Sequence, residues 1–119
     1  MSVTLATITV DCADAATLAR FWAGVLDRSV DEGAGTEFAS IGLNSDSGKE
    51  PGWTFVQVPE AKGPKNRLHA DFTVADLAEE VSRLEALGAR SLAEREEGGV
   101  RWTTMADPEG NEFCLAANP

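Results

Sequence analysis

Apolar and polar residues alternate in the first part of the chain, in segment 4–11. One face carries Ala6, Ile8 and Val10, and the other carries Leu5, Thr7, Thr9 and Asp11. A period of two is typical of a strand with one buried face. Asp14 then offers a suitable N-cap, and apolar residues recur at helical spacing until about Asp27. The pattern therefore predicts a strand followed by an amphipathic helix.

Three shorter β-prone segments complete the first half of the sequence. We predict strands over residues 28–31, 36–43 and 53–58. Residues 44–52 are polar and contain glycine and proline, so we predict a loop there. Residues 59–66 are rich in lysine, proline and glycine, which is typical of a connector between two halves.

The same order of patterns begins again after the connector. Residues 67–74 alternate between polar and apolar side chains, and Asp76 and Glu79 have the spacing of a capping box. The apolar stripe of a second helix follows, and Gly88 is a natural residue to end it. The remaining sequence predicts three strands, at 89–94, 99–105 and 111–117.

Both halves therefore predict one strand, one helix and three further strands. Thr7 and His69 occupy equivalent places, each seven residues before the N-cap aspartate of its half. We predict an α+β protein made of two tandem βαβββ modules, covering about residues 1–60 and 66–119. Residue identity between the halves is poor, so a single α+β sheet without internal symmetry is the alternative interpretation.

Charge and cysteine content narrow the function classes. The chain has 20 acidic and 10 basic residues, giving a formal charge of −10. This balance argues against binding to nucleic acid or to an anionic membrane surface, and we expect it mainly to favour solubility. The two cysteines do not form a disulfide framework, and neither a signal peptide nor a membrane-spanning run is evident. We therefore predict a cytoplasmic protein with reduced thiols.

Three stretches of sequence point to a known family. They are residues 14–27, residues 65–72 leading into 84–89, and residues 107–115 with the sequence Asp-Pro-Glu-Gly-Asn-Glu-Phe-Cys-Leu. In this order they resemble the vicinal oxygen chelate superfamily, specifically its small glyoxalase-like and bleomycin-resistance-like members. The resemblance implies one glyoxalase-like domain in which two modules form a curved mixed-sheet cup around a single small-molecule site. It also implies a homodimer, which is common among such proteins.

Metal-using members of the superfamily place one ligand on the first and last strand of each module. Carried onto this sequence, the four positions are Thr7, Gln57, His69 and Cys114. A threonine hydroxyl is a poor ligand for a divalent ion. Glu112 lies on the same face as Cys114 but is displaced by about 6.6 Å, at about 3.3 Å per residue. We therefore predict no metal and no other cofactor. If a divalent metal does bind, its ligands are expected among Gln57, His69, Glu112 and Cys114.

Strand alternation, together with the resemblance, selects the residues expected to line the pocket. The predicted ligand-binding residues are Thr7, Trp53, Phe55, Gln57, Arg67, His69, Trp102, Glu112 and Cys114. Each tryptophan could equally pack in the core, and Cys114 could be a small buried apolar residue. His69 could form hydrogen bonds without catalysing a reaction. A charge network of Arg67, His69, Asp71 and Glu112 is also expected, serving either as a general acid or only to hold the structure.

These features favour a small-molecule-binding protein of the resistance or sequestration type, independent of metal and with an unknown ligand. The alternative is a lyase or dioxygenase-like enzyme that uses His69 either with a divalent metal or as an acid or base. A non-catalytic dimeric module with a vestigial pocket is a third possibility. The ligand is not predicted, because the loops around the pocket determine its shape.

Overall fold

The computed structural model describes residues 5–43 and 51–117, which form two compact units divided between Ala61 and Lys62. The predicted loop at 44–52 therefore lies mostly outside the described residues. Within the described residues, no helix combines the length and the apolar character needed to cross a membrane.

The first unit consists of one helix and a three-stranded sheet. Its elements are β1 (Thr7–Cys12), α1 (Ala15–Leu26), β2 (Phe38–Ile41) and β3 (Gly52–Gln57). The central strand is β3, which runs parallel to β1 and antiparallel to β2. The strand predicted at 28–31 is reduced to a single bridge between Val30 and Ile41.

Helix α1 begins where the sequence predicts, because the carboxylate of Asp14 accepts a hydrogen bond from the backbone N–H of Thr17 at 3.2 Å. Its apolar face is buried on the sheet. The indole of Trp22 stacks on Trp53 of β3 with the ring centroids 5.1 Å apart. Burial of these two large aromatic side chains fixes the helix to the central strand.

The second unit consists of one helix and a four-stranded sheet. Its elements are β4 (Ala70–Val74), α2 (Leu77–Leu87), β5 (Arg90–Glu97), β6 (Val100–Ala106) and β7 (Glu112–Ala117). The strand order is β4-β7-β6-β5, with β4 parallel to β7 and the other pairs antiparallel.

Local sequence explains the limits of α2. The carboxylate of Asp76 accepts a hydrogen bond from the backbone N–H of Glu79 at 3.0 Å, and Gly88 ends the helix with a φ of +122°. The helix packs on the sheet through the buried side chain of Leu84. The strand before α2 starts at Ala70 and not at residue 67, so Arg67 and His69 belong to the segment leading into β4.

Two mixed sheets, of three and four strands, and two helices confirm the predicted α+β class. The core of the second sheet lies on the face that α2 covers. The residues buried there are Leu84, Met105, Phe113 and Leu115. Because side chains alternate along a strand, the residues between these core positions lie on the opposite face, here called the open face.

Candidate functional site

A cavity of about 680 Å³ lies over the open face of the second unit. Its residues come from all four strands of the sheet and from the segment before β4. They are Lys65, His69, Asp71, Leu92, Ala93, Arg95, Trp102, Thr104, Glu112, Phe113, Cys114 and Ala116. The volume is within the range of about 300–1,000 Å³ that is usual for small-molecule sites.

Strand register arranges the open face in two rows of side chains. Asp71, Cys114, Thr104 and Ala93 are successive partners across the four strands, and Thr73, Ala116, Trp102 and Arg95 form the next row. Directly paired residues on adjacent strands place their side chains next to each other. The register therefore places a polar side chain, Asp71 or Thr73, at the β4 end of each row. Trp102 and Arg95 lie toward the β5 end of the second row.

A β-bulge adds one further apolar side chain to this face. Ser91 pairs with Met105 and Ala93 pairs with Thr104, so Leu92 has no partner across the ladder. In such a bulge two residues of one strand oppose a single residue of the other. Leu92 consequently lines the cavity together with Ala93, and its side chain is 45% exposed.

His69, Asp71 and Cys114 form the main cluster of titratable groups in the cavity. His69 Nδ1 lies 3.2 Å from Asp71 Oδ1, and one donor atom of each of the three residues lies within 4.8 Å of the others. The side chains of His69 and Asp71 are 43% and 67% exposed. Cys114 Sγ lies 3.5 Å from Thr104 Oγ1.

Glu112 has a partner outside this cluster. Its carboxylate accepts a hydrogen bond from the backbone N–H of Asn66 at 3.1 Å, and the Asn66 side chain donates to the Glu112 carbonyl at 3.4 Å. Arg67 is exposed and is not among the residues that line the cavity. Of the predicted charge network, the structure therefore brings together His69 and Asp71, whereas Glu112 is held by Asn66.

The site residues predicted in the first unit have different surroundings. Trp53 and Phe55 lie on the face of β3 that packs on α1, and both are buried there, Phe55 completely. Their position corrects the prediction that they lie on the open, ligand-facing side of the strand. Thr54 lies on the other face of β3, where its hydroxyl is 2.7 Å from that of Thr9.

The first-unit positions that the resemblance assigns to family ligands are Thr7 and Gln57, which lie at opposite ends of the paired strands β1 and β3. Thr7 is half-buried at the start of β1, opposite Gly52. The side-chain amide of Gln57 is exposed and donates to the Ala13 carbonyl at 2.9 Å. Neither residue offers an anionic or imidazole ligand, so these two positions do not fit a transition-metal ion well.

The second unit fits a metal better. Its cluster provides one imidazole, one carboxylate and one thiol, and three protein ligands of these types are found at catalytic zinc sites. Asp71 provides the carboxylate that was expected from Glu112. The predicted charge network already joined Asp71 to His69, but Asp71 was not expected among the metal ligands.

A family model described as the glyoxalase-like domain matches residues 7–116. The chain belongs to this family, which confirms the resemblance seen in the sequence. No curated protein sequence matches the chain.

Solved structures share the fold at low sequence identity. A glyoxalase/bleomycin resistance protein/dioxygenase family enzyme from Burkholderia phytofirmans has a TM-score of 0.76 and 18% identity, over 97% of this chain and 98% of that one. A fosfomycin resistance protein from Listeria monocytogenes has a TM-score of 0.75 and 16% identity, over 100% and 96%. A lactoylglutathione lyase from Agrobacterium tumefaciens has a TM-score of 0.65 and 14% identity, over 99% and 96%. At these identities the similarity concerns the fold alone.

Proposed function

We propose that this protein binds a small organic molecule in the cavity over the open face of its second unit, without a resident metal. The cavity itself is the observation that carries the proposal. It combines apolar walls, Leu92 and Trp102, with a few polar groups, among them His69 and Thr104. Concave sites of this volume and mixed lining are where small molecules bind most often.

Two observations support independence from metal. The first-unit positions carry a hydroxyl at Thr7 and, at Gln57, an amide engaged with Ala13. Glu112, the carboxylate next to the closing-strand position, is held by Asn66. Separately, solved structures with the same fold include fosfomycin resistance proteins, which supports a role of the resistance or sequestration type.

A thermal-shift screen with metabolites and aromatic antibiotics tests the binding function. We expect compounds that raise the melting temperature of the wild type to lose much of this effect in Trp102→Leu, because a wall of the cavity is removed. Phe38→Leu is the matched control, since Phe38 is an exposed aromatic residue of the first unit. Shifts that persist in Trp102→Leu and disappear in Phe38→Leu would place the binding site elsewhere.

The second candidate function is an enzyme that uses His69 with a divalent metal or as an acid or base. The convergence of His69, Asp71 and Cys114 within 4.8 Å specifically favours it. If a metal is held there, it supplies Lewis acidity to an oxygen of the substrate. Without a metal, the His69 imidazole, whose Nδ1 lies 3.2 Å from Asp71 Oδ1, exchanges a proton with the ligand.

Metal content separates the two candidates. We expect the purified protein to contain far less than one divalent ion per chain, and added cobalt(II) to give no thiolate-to-metal absorption. About one zinc, nickel or iron ion per chain would instead support the enzyme. So would a cobalt band that is lost in Cys114→Ala but kept in Cys12→Ala, since Cys12 is buried in the first unit.

We further propose that the protein acts as a homodimer. Large apolar side chains remain exposed on the chain, among them Leu5 and Leu68. Their burial against a second copy would remove apolar surface from water. Sedimentation equilibrium should then give twice the chain mass of 12.6 kDa, and the mass of a single chain at all concentrations would contradict the proposal.

A further inference from the structure

The β5 side of the cavity has the features of a site for a flat apolar group. Leu92 is brought onto the open face by the bulge, although an exposed leucine gains nothing from contact with water. Bulges often occur next to functional sites, where they redirect a side chain. Leu92 and Trp102 together form the apolar wall of the cavity.

The neighbours of Trp102 leave its indole accessible. Its direct partner on β7 is Ala116, and Thr104 lies two residues along its own strand on the same face. Ala93, the partner of Thr104, lies diagonally across on β5. These three side chains are small. All three are half-buried, and Trp102 itself is half-buried too. An aromatic ring with small neighbours can stack on a flat partner with an offset geometry.

A positive charge lies at the end of the same row. Arg95 is the direct partner of Trp102 on β5 and lines the cavity. Within residues 5–43 and 51–117, its guanidinium forms no ion pair or hydrogen bond. The adjacent Glu94 and Glu96 lie on the other face of the strand by alternation.

The acidic groups of the cavity are at its other side and have partners. Asp71 is paired with His69, and Glu112 with Asn66. Asp71 lies on β4, three strands away from Arg95, which corresponds to roughly 14 Å at about 4.8 Å between strands. The cavity is therefore divided into an acidic side that also holds His69, and a side where an arginine adjoins an apolar wall.

From this division we infer the class and orientation of the ligand, an inference that rests on the proposed binding function. The ligand is a flat, largely apolar ring system with an anionic oxygen group. Its ring lies between Trp102 and Leu92, and the anionic group accepts hydrogen bonds from the Arg95 guanidinium, whose planar donors suit carboxylate, sulfonate and phosphate oxygens. The opposite end of the ligand faces His69 and Cys114.

Two fluorescent probes with one aromatic core test the inference. The probe 8-anilinonaphthalene-1-sulfonate is anionic, and N-phenyl-1-naphthylamine is neutral. We expect Arg95→Gln to weaken binding of the anionic probe about fivefold while leaving the neutral probe unchanged, in keeping with the modest strength of a partly exposed charged contact. Trp102→Leu should weaken both probes, because both lose the stacking surface.

Arg101→Gln is the matched control. Arg101 precedes Trp102 on β6 and lies on the opposite face of the sheet, so its replacement makes the same change in net charge away from the cavity. We expect it to affect neither probe. Melting temperatures of Arg95→Gln and Arg101→Gln should be close to that of the wild type, since both arginines are exposed.

The outcomes distinguish the inference from the function on which it rests. Equal weakening of the anionic probe by Arg95→Gln and Arg101→Gln, or weakening by Lys65→Gln alone, would overturn the assignment of the anion to Arg95. If binding of both probes still depended on Trp102, the cavity would remain the binding site. No dependence on Trp102 for either probe would overturn both the ligand class and the proposed function.

Discussion

At the scale of single residues, the carboxylate of Asp107 organises the turn that leads into β7. Its side chain accepts hydrogen bonds from the backbone N–H groups of Glu109 and Asn111, both at 2.9 Å. The residue is 1% exposed. Gly110 completes the turn with a φ of +90°, and its N–H donates to the Asp107 carbonyl at 2.8 Å. The turn thereby fixes where β7 begins, and with it the position of Cys114.

Replacing Asp107 should therefore cost much more stability than replacing an exposed aspartate. We expect Asp107→Ala to lower the free energy of unfolding by about 3 kcal/mol, because two backbone donors lose their acceptor. Asp11→Ala, at an exposed position of β1, should change it by less than about 0.5 kcal/mol. Urea denaturation of both variants measures the difference, and equal losses would show that the turn does not depend on this carboxylate.

Residue chemistry also explains which site residues could be predicted. Cys114 and Trp102 line the cavity, as strand alternation predicts, and His69 lies there beside Asp71 although it precedes β4. Strand alternation misassigned Trp53 and Phe55, because α1 buries the face of β3 that carries them. Their large apolar side chains suit a ligand wall and a helix-packed core equally well, so the sequence alone does not select the face.

At the scale of elements, the two helices end in different ways. Helix α2 ends with Gly88, whereas α1 ends with Asp27 in a left-handed conformation with a φ of +54°. The N–H of the next residue, Arg28, still reaches the Ala23 carbonyl at 3.0 Å. Residues with a side chain adopt this conformation at some cost, although aspartate tolerates it better than most.

A glycine at the end of α1 should therefore stabilise the protein. We expect Asp27→Gly to raise the free energy of unfolding by about 0.5 kcal/mol and Asp27→Ala to lower it, since alanine has neither the freedom of glycine nor a local hydrogen-bonding group. Chemical denaturation of the two variants beside the wild type provides the measurement. A loss of stability in Asp27→Gly would mean that the aspartate side chain has a role beyond this conformation.

Both helices were predicted because each has an N-cap aspartate and an apolar stripe. The strand expected at 28–31 failed, because only Val30 finds a partner across from β2. The bulge at Leu92 had no signal in the sequence: segment 89–94 contains neither glycine nor proline, and the register shift depends on how β5 pairs with β6. The predicted pocket therefore lacked Leu92 and Arg95, which carry the inference about the ligand.

At the scale of the whole molecule, the duplicated pattern has led to two units with different chemistry. Each has a helix packed on a sheet, yet within residues 5–43 and 51–117 it is the second that has a cavity bringing a histidine, an aspartate and a cysteine together. In the second unit Asp71 and Cys114 are direct partners on the first and last strands. In the first unit the direct partners Thr9 and Thr54 contact each other through their hydroxyls. The common fold was predictable from the repeated caps and strands. The asymmetry depends on which few side chains stand at equivalent strand positions of the two units.

The stacked indoles of Trp22 and Trp53 have an optical consequence. Because the ring centroids are only 5.1 Å apart, we expect the electronic transitions of the two indoles to couple and to contribute an exciton signal to the far-ultraviolet circular dichroism spectrum. The third tryptophan, Trp102, lies in the second unit, outside this stack. This signal should report on the integrity of the first unit, while the part of the tryptophan emission that is lost in Trp102→Leu should report on the second. The protein thus contains its own pair of spectroscopic labels, one for each half.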